Sequence, residues 1–222
     1  MAPVAGLPAI SPTQVVAGGV SQGFTLVLLS NGDVYCFGGN ADSQCGIVGG
    51  TSFSAPTRVD GLADIAQVGA GRAFACARTM AGRVYCWGTS YAGQTGTGST
   101  GVVSTPTEVA GAALPAFESI VLGGEFVLAL AAGGTEVWGW GENEGQFGLG
   151  PAMVDDLLVP TRLFGEAGST YLIAAGSGHA CVVRRRTGMR DELSCAGTNN
   201  YGQSGQPASA PIRTFTTVPG VP

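Results

Sequence analysis

Apolar residues in this chain fall in short runs, each cut after a few positions by Gly, Pro or a polar turn residue. "GFTLVLLSNGDVYCFGG", from Gly23 to Gly39, is an apolar run, then Asn31-Gly32, then a second apolar run. Two such runs about a tight Asn-Gly turn predict a β-hairpin. The pattern returns in "AFACARTMAGRVYC" from Ala73, "EFVLALAAGGTEVWG" from Glu125 and "GHACVVRRRTGMRDELSC" from Gly178. Each hairpin runs into a related phrase: "VYCFGGNADSQCG" from Val34, "VYCWGTSYAGQTG" from Val84, "VWGWGENEGQFGLG" from Val137 and "LSCAGTNNYGQSG" from Leu193. Their shared Gln stands at Gln44, Gln94, Gln146 and Gln203, at spacings of 50, 52 and 57 residues. A third phrase follows the turn as "PTRV" at Pro56, "PTEV" at Pro106 and "PTRL" at Pro160.

One unit therefore holds about four short strands, and the chain holds four units. A lone four-stranded unit leaves an apolar face in water, and stacking units about a centre buries it. That is the logic of a β-propeller. The expectation is an all-β chain of four four-stranded antiparallel blades. Val4, Val59 and Val218 open the same phrase, so the chain begins and ends at one phase of the repeat.

The pattern resembles the RCC1 (regulator of chromosome condensation) repeat. The resemblance rests on the "VYxWG…GQxG" phrase, the apolar phrase before it and the "PTxV" lead-in, and it covers nearly the whole chain. It implies one RCC1-repeat domain over residues 1–222, with repeats near 4–58, 59–108, 109–162 and 163–218. WD and kelch repeats fit less well: the Trp-Asp dipeptide is absent, and the kelch order of double Gly, Tyr and Trp is not reproduced. Phe24, Phe74 and Phe126 stand where the family usually has His, and His179 alone keeps it. Family propellers usually close with seven blades, so an open arc or partial propeller is favoured over a closed four-blade ring. Each open end face would then be apolar, and self-association or further repeats are expected.

Composition narrows the function. With 222 residues, 45% hydrophobic and 11% charged, the chain has ample core and is not of disordered type. Its net charge of −5 argues against general nucleic-acid binding. All ten basic residues are Arg, which reads as base bias of the genome. No apolar run is long enough to span a membrane, and "MAPVAGLPAIS" lacks the basic and apolar regions of a signal peptide. The compartment stays unassigned: the resemblance points to cytoplasm or nucleus, and paired cysteines point to an oxidising setting.

Cys76 and Cys86 fall on the two strands of one predicted hairpin, and Cys181 and Cys195 take the equivalent places in the fourth unit. They are either two disulfides or two pairs of buried thiols. Cys36 and Cys45 are either a third bond or two small core residues. With a single His and no Cys-x-x-Cys pair, no metal site or cofactor is expected. His179 reads as structural. No nucleophile is nominated beside it, no phosphate-binding loop is possible without Lys, and no catalytic residue is assigned. The strongest local charge is "RRRTGMR", with Arg184, Arg185, Arg186 and Arg190 in the longest hairpin. It is either a solvated tip or a contact for an acidic partner. The overall expectation is a non-catalytic protein-interaction module. The alternative, implied by the resemblance, is a guanine-nucleotide exchange factor for a small GTPase.

Overall fold

A computed structural model of the chain describes residues 4–20, 22–153 and 155–220. Among them there are sixteen strands and no helix. Blade 1 is β1 (Pro12–Gly18), β2 (Phe24–Leu29), β3 (Val34–Gly39) and β4 (Ser52–Arg58). Blade 2 is β5 (Ile65–Ala70), β6 (Phe74–Thr79), β7 (Val84–Thr89) and β8 (Val102–Glu108). Blade 3 is β9 (Phe117–Leu122), β10 (Phe126–Ala131), β11 (Val137–Gly141) and β12 (Leu157–Phe164). Blade 4 is β13 (Ser169–Ala175), β14 (His179–Arg186), β15 (Glu192–Gly197) and β16 (Ile212–Thr217). Each blade is an antiparallel sheet whose strands pair in chain order. The first strands stand side by side around an axis, where their ends line an axial cavity of about 300 Å3.

Alternation along each strand sends side chains to the two faces of a blade. In blade 2, Val68, Ala75, Ala77 and Trp87 join Phe24, Leu26, Leu28 and Val34 of blade 1 in one core. The opposite face, Phe74, Cys76, Val84 and Cys86, packs on Ile120, Val127, Ala129 and Trp140 of blade 3. The third core joins Phe126, Leu128 and Val137 to Tyr171 and Ala180 of blade 4. Four blades thus share three cores, and the arc is open.

The Gly that follows the aromatic position of each repeat has a steric cause. Gly38, Gly88, Gly141 and Gly197 have φ of 106°, 98°, 102° and 104°. A Cβ on Gly88 would lie 2.5 Å from the Ala73 carbonyl oxygen. Only Gly relieves both the backbone and the contact. Gly88→Ala is expected to cost about 1–3 kcal/mol in chemical denaturation. An effect no larger than that of Gly23→Ala, where the backbone is not left-handed and the nearest atom to an added carbon is 3.7 Å away, would refute this account.

Blade 4 has Ala196 where blades 2 and 3 have Trp87 and Trp140. Gly46 and Gly96 lie against those two indoles, whereas Gly148 lies against Phe215. Phe215, with Phe147 packed edge-on to Phe126, fills the third core in place of the missing indole.

Candidate interaction face

The turns that leave β3, β7, β11 and β15 gather at one end of the arc, with the links from each first strand to its second. The Gly-Gln phrase fixes them from inside. Gln44 Oε1 accepts from the Asp42 N–H, Gln94 Oε1 from Ala92 and Gln203 Oε1 from Tyr201, each at 2.9 Å. Gln146 belongs to a turn one residue shorter, counted from Gly141. It donates to the Glu142 carbonyl at 2.6 Å, and its buried Oε1 has no protein partner.

A second clamp was not singled out from the sequence. Asn40 donates to the Ile47 and Gly50 carbonyls and accepts from the Cys45 N–H. Asn199 donates to the Pro207 carbonyl and the Ser209 hydroxyl and accepts from the Ser204 N–H, and Asn143 donates to the Met153 and Asp155 carbonyls and accepts from the Gly145 N–H. Ser90, whose hydroxyl accepts from Thr95 N–H, takes that place in blade 2. The signal was present as an Asn three or four residues before the shared Gln in three of four copies. Such side chains close loops by bonding to nearby backbone.

This end is acidic. Asp42, Glu125, Glu142, Glu144, Asp155 and Asp156 sit in its loops, while Arg72 is paired with Glu125 at 3.0 Å. A cavity of about 470 Å3 opens here, lined by Arg72, Glu142, Glu144, His179, Thr198 and Gln203. Burial, followed by the charges of Glu125, Glu144 and Asp156, holds the Glu142 carboxyl above its ordinary range. His179 lies with its ring against Gly176, as Phe74 lies against Gly71 and Phe126 against Gly123. It takes the place of a packing aromatic at the rim of this cavity. Among the described residues, no group of three His, Cys, Asp or Glu is placed to hold a metal ion.

The opposite end carries most of the arginines, largely in pairs. Asp33 binds Arg58 at 2.7 Å, Glu108 binds Arg83 at 3.4 Å and Glu136 binds Arg162 at 2.8 Å. Hydrogen bonds from Arg58 and Asn31 hold the Asp33 carboxyl below its usual range. Strand β14 runs on to Arg186, so Arg184 and Arg185 lie in the sheet and not at the hairpin tip. Arg184 is held between Glu166 and Glu192, and Arg185 pairs with Asp191 at 3.0 Å. Arg190 is exposed in the turn itself.

The six cysteines form three pairs at disulfide distance. Cys76 faces Cys86 and Cys181 faces Cys195 in the strand registers, each pair with Cα atoms 4.1 Å apart. Cys36 joins Cys45, tying β3 to the turn that follows it, with Cα atoms 5.4 Å apart.

Comparison with known proteins fits this geometry. One profile described as the regulator of chromosome condensation (RCC1) repeat matches residues 31–78 and 81–130, and a second of that description matches 13–44 and 65–94. Human WBSCR16 superposes with a TM-score of 0.80 at 23% identity, over 95% of this chain and 53% of its own. Prp20p from Saccharomyces cerevisiae, studied for its binding to Gsp1p and histones, gives 0.79 at 18% identity, over 97% and 52%. Yeast RCC1 (Prp20) bound to Kap60 gives 0.78 at 18% identity, over 97% and 50%. The chain spans about half the length of these solved structures. No curated protein matches it in sequence. The solved structures share the fold, and the repeat matches, which together run over residues 13–130, through blades 1 and 2 and the first two strands of blade 3, place this protein in the RCC1 repeat family.

Proposed function

We propose that the chain is a non-catalytic protein-interaction module, a single repeat domain that presents loops on a rigid arc. The observation that carries this reading is the double clamp, Gln from inside and Asn from the side, which fixes the acidic turns at one end. Loops held this way on a packed scaffold are suited to recognition. The lone histidine packs as a strand aromatic, in the place that Phe74 and Phe126 take in blades 2 and 3. Protein binding is also what the solved relatives exhibit, Prp20p with Gsp1p and histones.

Guanine-nucleotide exchange on a small GTPase is the second reading, favoured by membership of the family. Fold alone does not carry activity, and nucleotide-release kinetics with a panel of small GTPases separates the two. Accelerated release at catalytic amounts of the protein would establish exchange. Capture of a partner from the source cell without accelerated release would establish binding alone.

The arginine hairpin is the second contact we propose. Arg184 and Arg185 already have carboxylate partners, so Arg186 and Arg190 carry most of the charge it offers. Replacing both by Ser is expected to leave thermal stability within about 0.5 kcal/mol. Association with an acidic partner should slow and become less sensitive to salt. Unchanged association kinetics with an identified partner would remove the hairpin from the interface.

A further inference from the structure

Tyr85 and Trp87 of β7 pack on blade 1, and Trp138 and Trp140 of β11 pack on blade 2. The strand registers give their counterparts in blade 4. Tyr85 faces Ala77, Trp138 faces Ala129 and Ser194 faces Val182. Trp87 faces Ala75, Trp140 faces Val127 and Ala196 faces Ala180. Blade 4 thus turns Ser194 and Ala196 toward blade 3, where each of the two blades before it turns a pair of aromatic rings. Phe215 answers for the ring missing at Ala196. Over Ser194 a cavity of about 340 Å3 is left between blades 3 and 4, open to solvent on one side. Phe164, Tyr171, Val182, Ser194 and Phe215 line it. Its walls are the last strand of blade 3, the link to β13 and the face of blade 4 that meets them. A blade stacked on either end of the arc would cover other faces.

The two repeats that fill this place show what it takes. The Tyr85 O–H donates to the Glu108 carboxylate at 3.3 Å, and the Trp138 indole N–H donates to that of Glu136 at 3.1 Å. Each is a flat ring whose polar edge meets a carboxylate. Trp138 also stands edge-on to Phe117, with ring centroids 6.1 Å apart. Blade 4 keeps these partners and lacks the ring. Tyr171 pairs with Arg184 as Phe117 pairs with Ala131, so Tyr171 holds the Phe117 place. Glu192 precedes Leu193 as Glu136 precedes Val137. Glu192 and Glu166 stand at the mouth of the cavity, and Arg184 between them pairs with both. Arg162, also at the mouth, pairs with Glu136. The charges there are matched among themselves, so a charged group would gain little, whereas a ring would gain an aromatic floor and a carboxylate edge.

We infer that the cleft between blades 3 and 4 receives one aromatic side chain of a partner protein, a tryptophan or tyrosine whose N–H or O–H meets Glu192 or Glu166. The incoming ring takes the place that Trp138 fills one blade earlier and stands against Tyr171 as Trp138 stands against Phe117. The inference rests on the protein-interaction reading and gives it a specific contact. A ring carried on polypeptide is what the molecule itself seats at the two equivalent places. The mouth also lies beside β14, the strand that runs on into the arginine hairpin, so one partner segment can reach both. Single Trp and Tyr residues seated in such pockets commonly dominate the energy of a protein interface.

Titration of the 222-residue protein with N-acetyl-tryptophanamide, followed by backbone amide NMR shifts, tests this. Shifts should cluster on Val182, Ser194 and Phe215, with a Kd on the order of a millimolar or below. The 1-methylindole analogue, which cannot donate to a carboxylate, should bind about tenfold more weakly. N-acetyl-leucinamide should give no such cluster. Ser194→Trp copies the Trp138 arrangement into blade 4. It should melt at or above the wild-type temperature, since it fills a cavity, and should abolish the clustered shifts. Absence of the cluster in the wild type overturns the inference, as does equal binding by the leucine or the methylated probe. Persistence of the cluster in folded Ser194→Trp overturns it too. Free indole bound more tightly than the capped residue marks a small-molecule site and overturns the protein partner. An identified partner that binds the wild type and Ser194→Trp equally well overturns the cleft and leaves the protein-interaction reading standing.

Discussion

Trp87→Ala is expected to destabilise the chain by about 3–5 kcal/mol in urea denaturation, the range for large-to-small changes in a packed core. Trp87 is fully buried between blades 1 and 2, and its indole N–H donates to the Gln44 carbonyl at 2.9 Å. The substitution removes the ring that covers Gly46 and leaves a buried acceptor in the blade before. Trp87→Phe should cost less, about 1–3 kcal/mol, because it retains most of the volume and loses the hydrogen bond. Tyr201, an aromatic in the same region of the repeat but 92% exposed, is the control, and Tyr201→Ala should have almost no effect. Equal losses at Trp87 and Tyr201 would mean that the blades are not held by these indoles. Trp140 makes the same bond to the Gln94 carbonyl at 3.2 Å, so Trp140→Ala should repeat the result one blade on.

That pair of bonds also marks where the sequence was readable. The Trp at the centre of the strand phrase and the Gln of the turn phrase were visible as repeated letters. That the indole of one repeat bonds to the turn of the previous repeat was not, because it depends on how blades stack. The same holds for the ion pairs at the other end. Asp33–Arg58, Arg83–Glu108 and Glu136–Arg162 join the residue before each third strand to the variable residue of each "PTx" phrase. Blade 2 has the charges reversed, so neither position keeps one sign of charge in all three, and only the pairing is common to them. Blade 4 replaces the pair with a hydrogen bond from Thr217 to Glu192 at 2.9 Å. The arginine run misled for a related reason. It reads as a tip because it exceeds the other hairpins in length, but the extra residues first extend the strand and then turn.

Full reduction of the three cysteine pairs is expected to bring the chain to the edge of unfolding. In the chain-entropy account, a bridge across a loop of this length contributes about 2.5–3 kcal/mol. The sequence separations are 9, 10 and 14 residues, and the contribution varies only with their logarithm, so the three bridges should weigh nearly equally. Their sum, about 8 kcal/mol, is comparable to the whole stability of a typical domain. A reducing agent should therefore lower the melting temperature steeply, and Cys76→Ala with Cys86→Ala should account for about a third of the loss. Blade 3 makes the comparison internal. It has Leu128 and Gly139 at the facing positions and Phe147 where blade 1 has Cys45, and a Cβ on Gly139 would strike the Phe147 ring at 2.8 Å. A buried aromatic there fills the space that a bridge ties elsewhere. Blade 3 should consequently keep its hydrogen-exchange protection longest when the bonds are reduced. A melting temperature indifferent to reductant, in protein shown by alkylation and mass spectrometry to carry the bonds, would refute the stabilising role. Free thiols in protein taken from its native compartment would instead place the chain in a reducing environment, where the same six residues serve only as core.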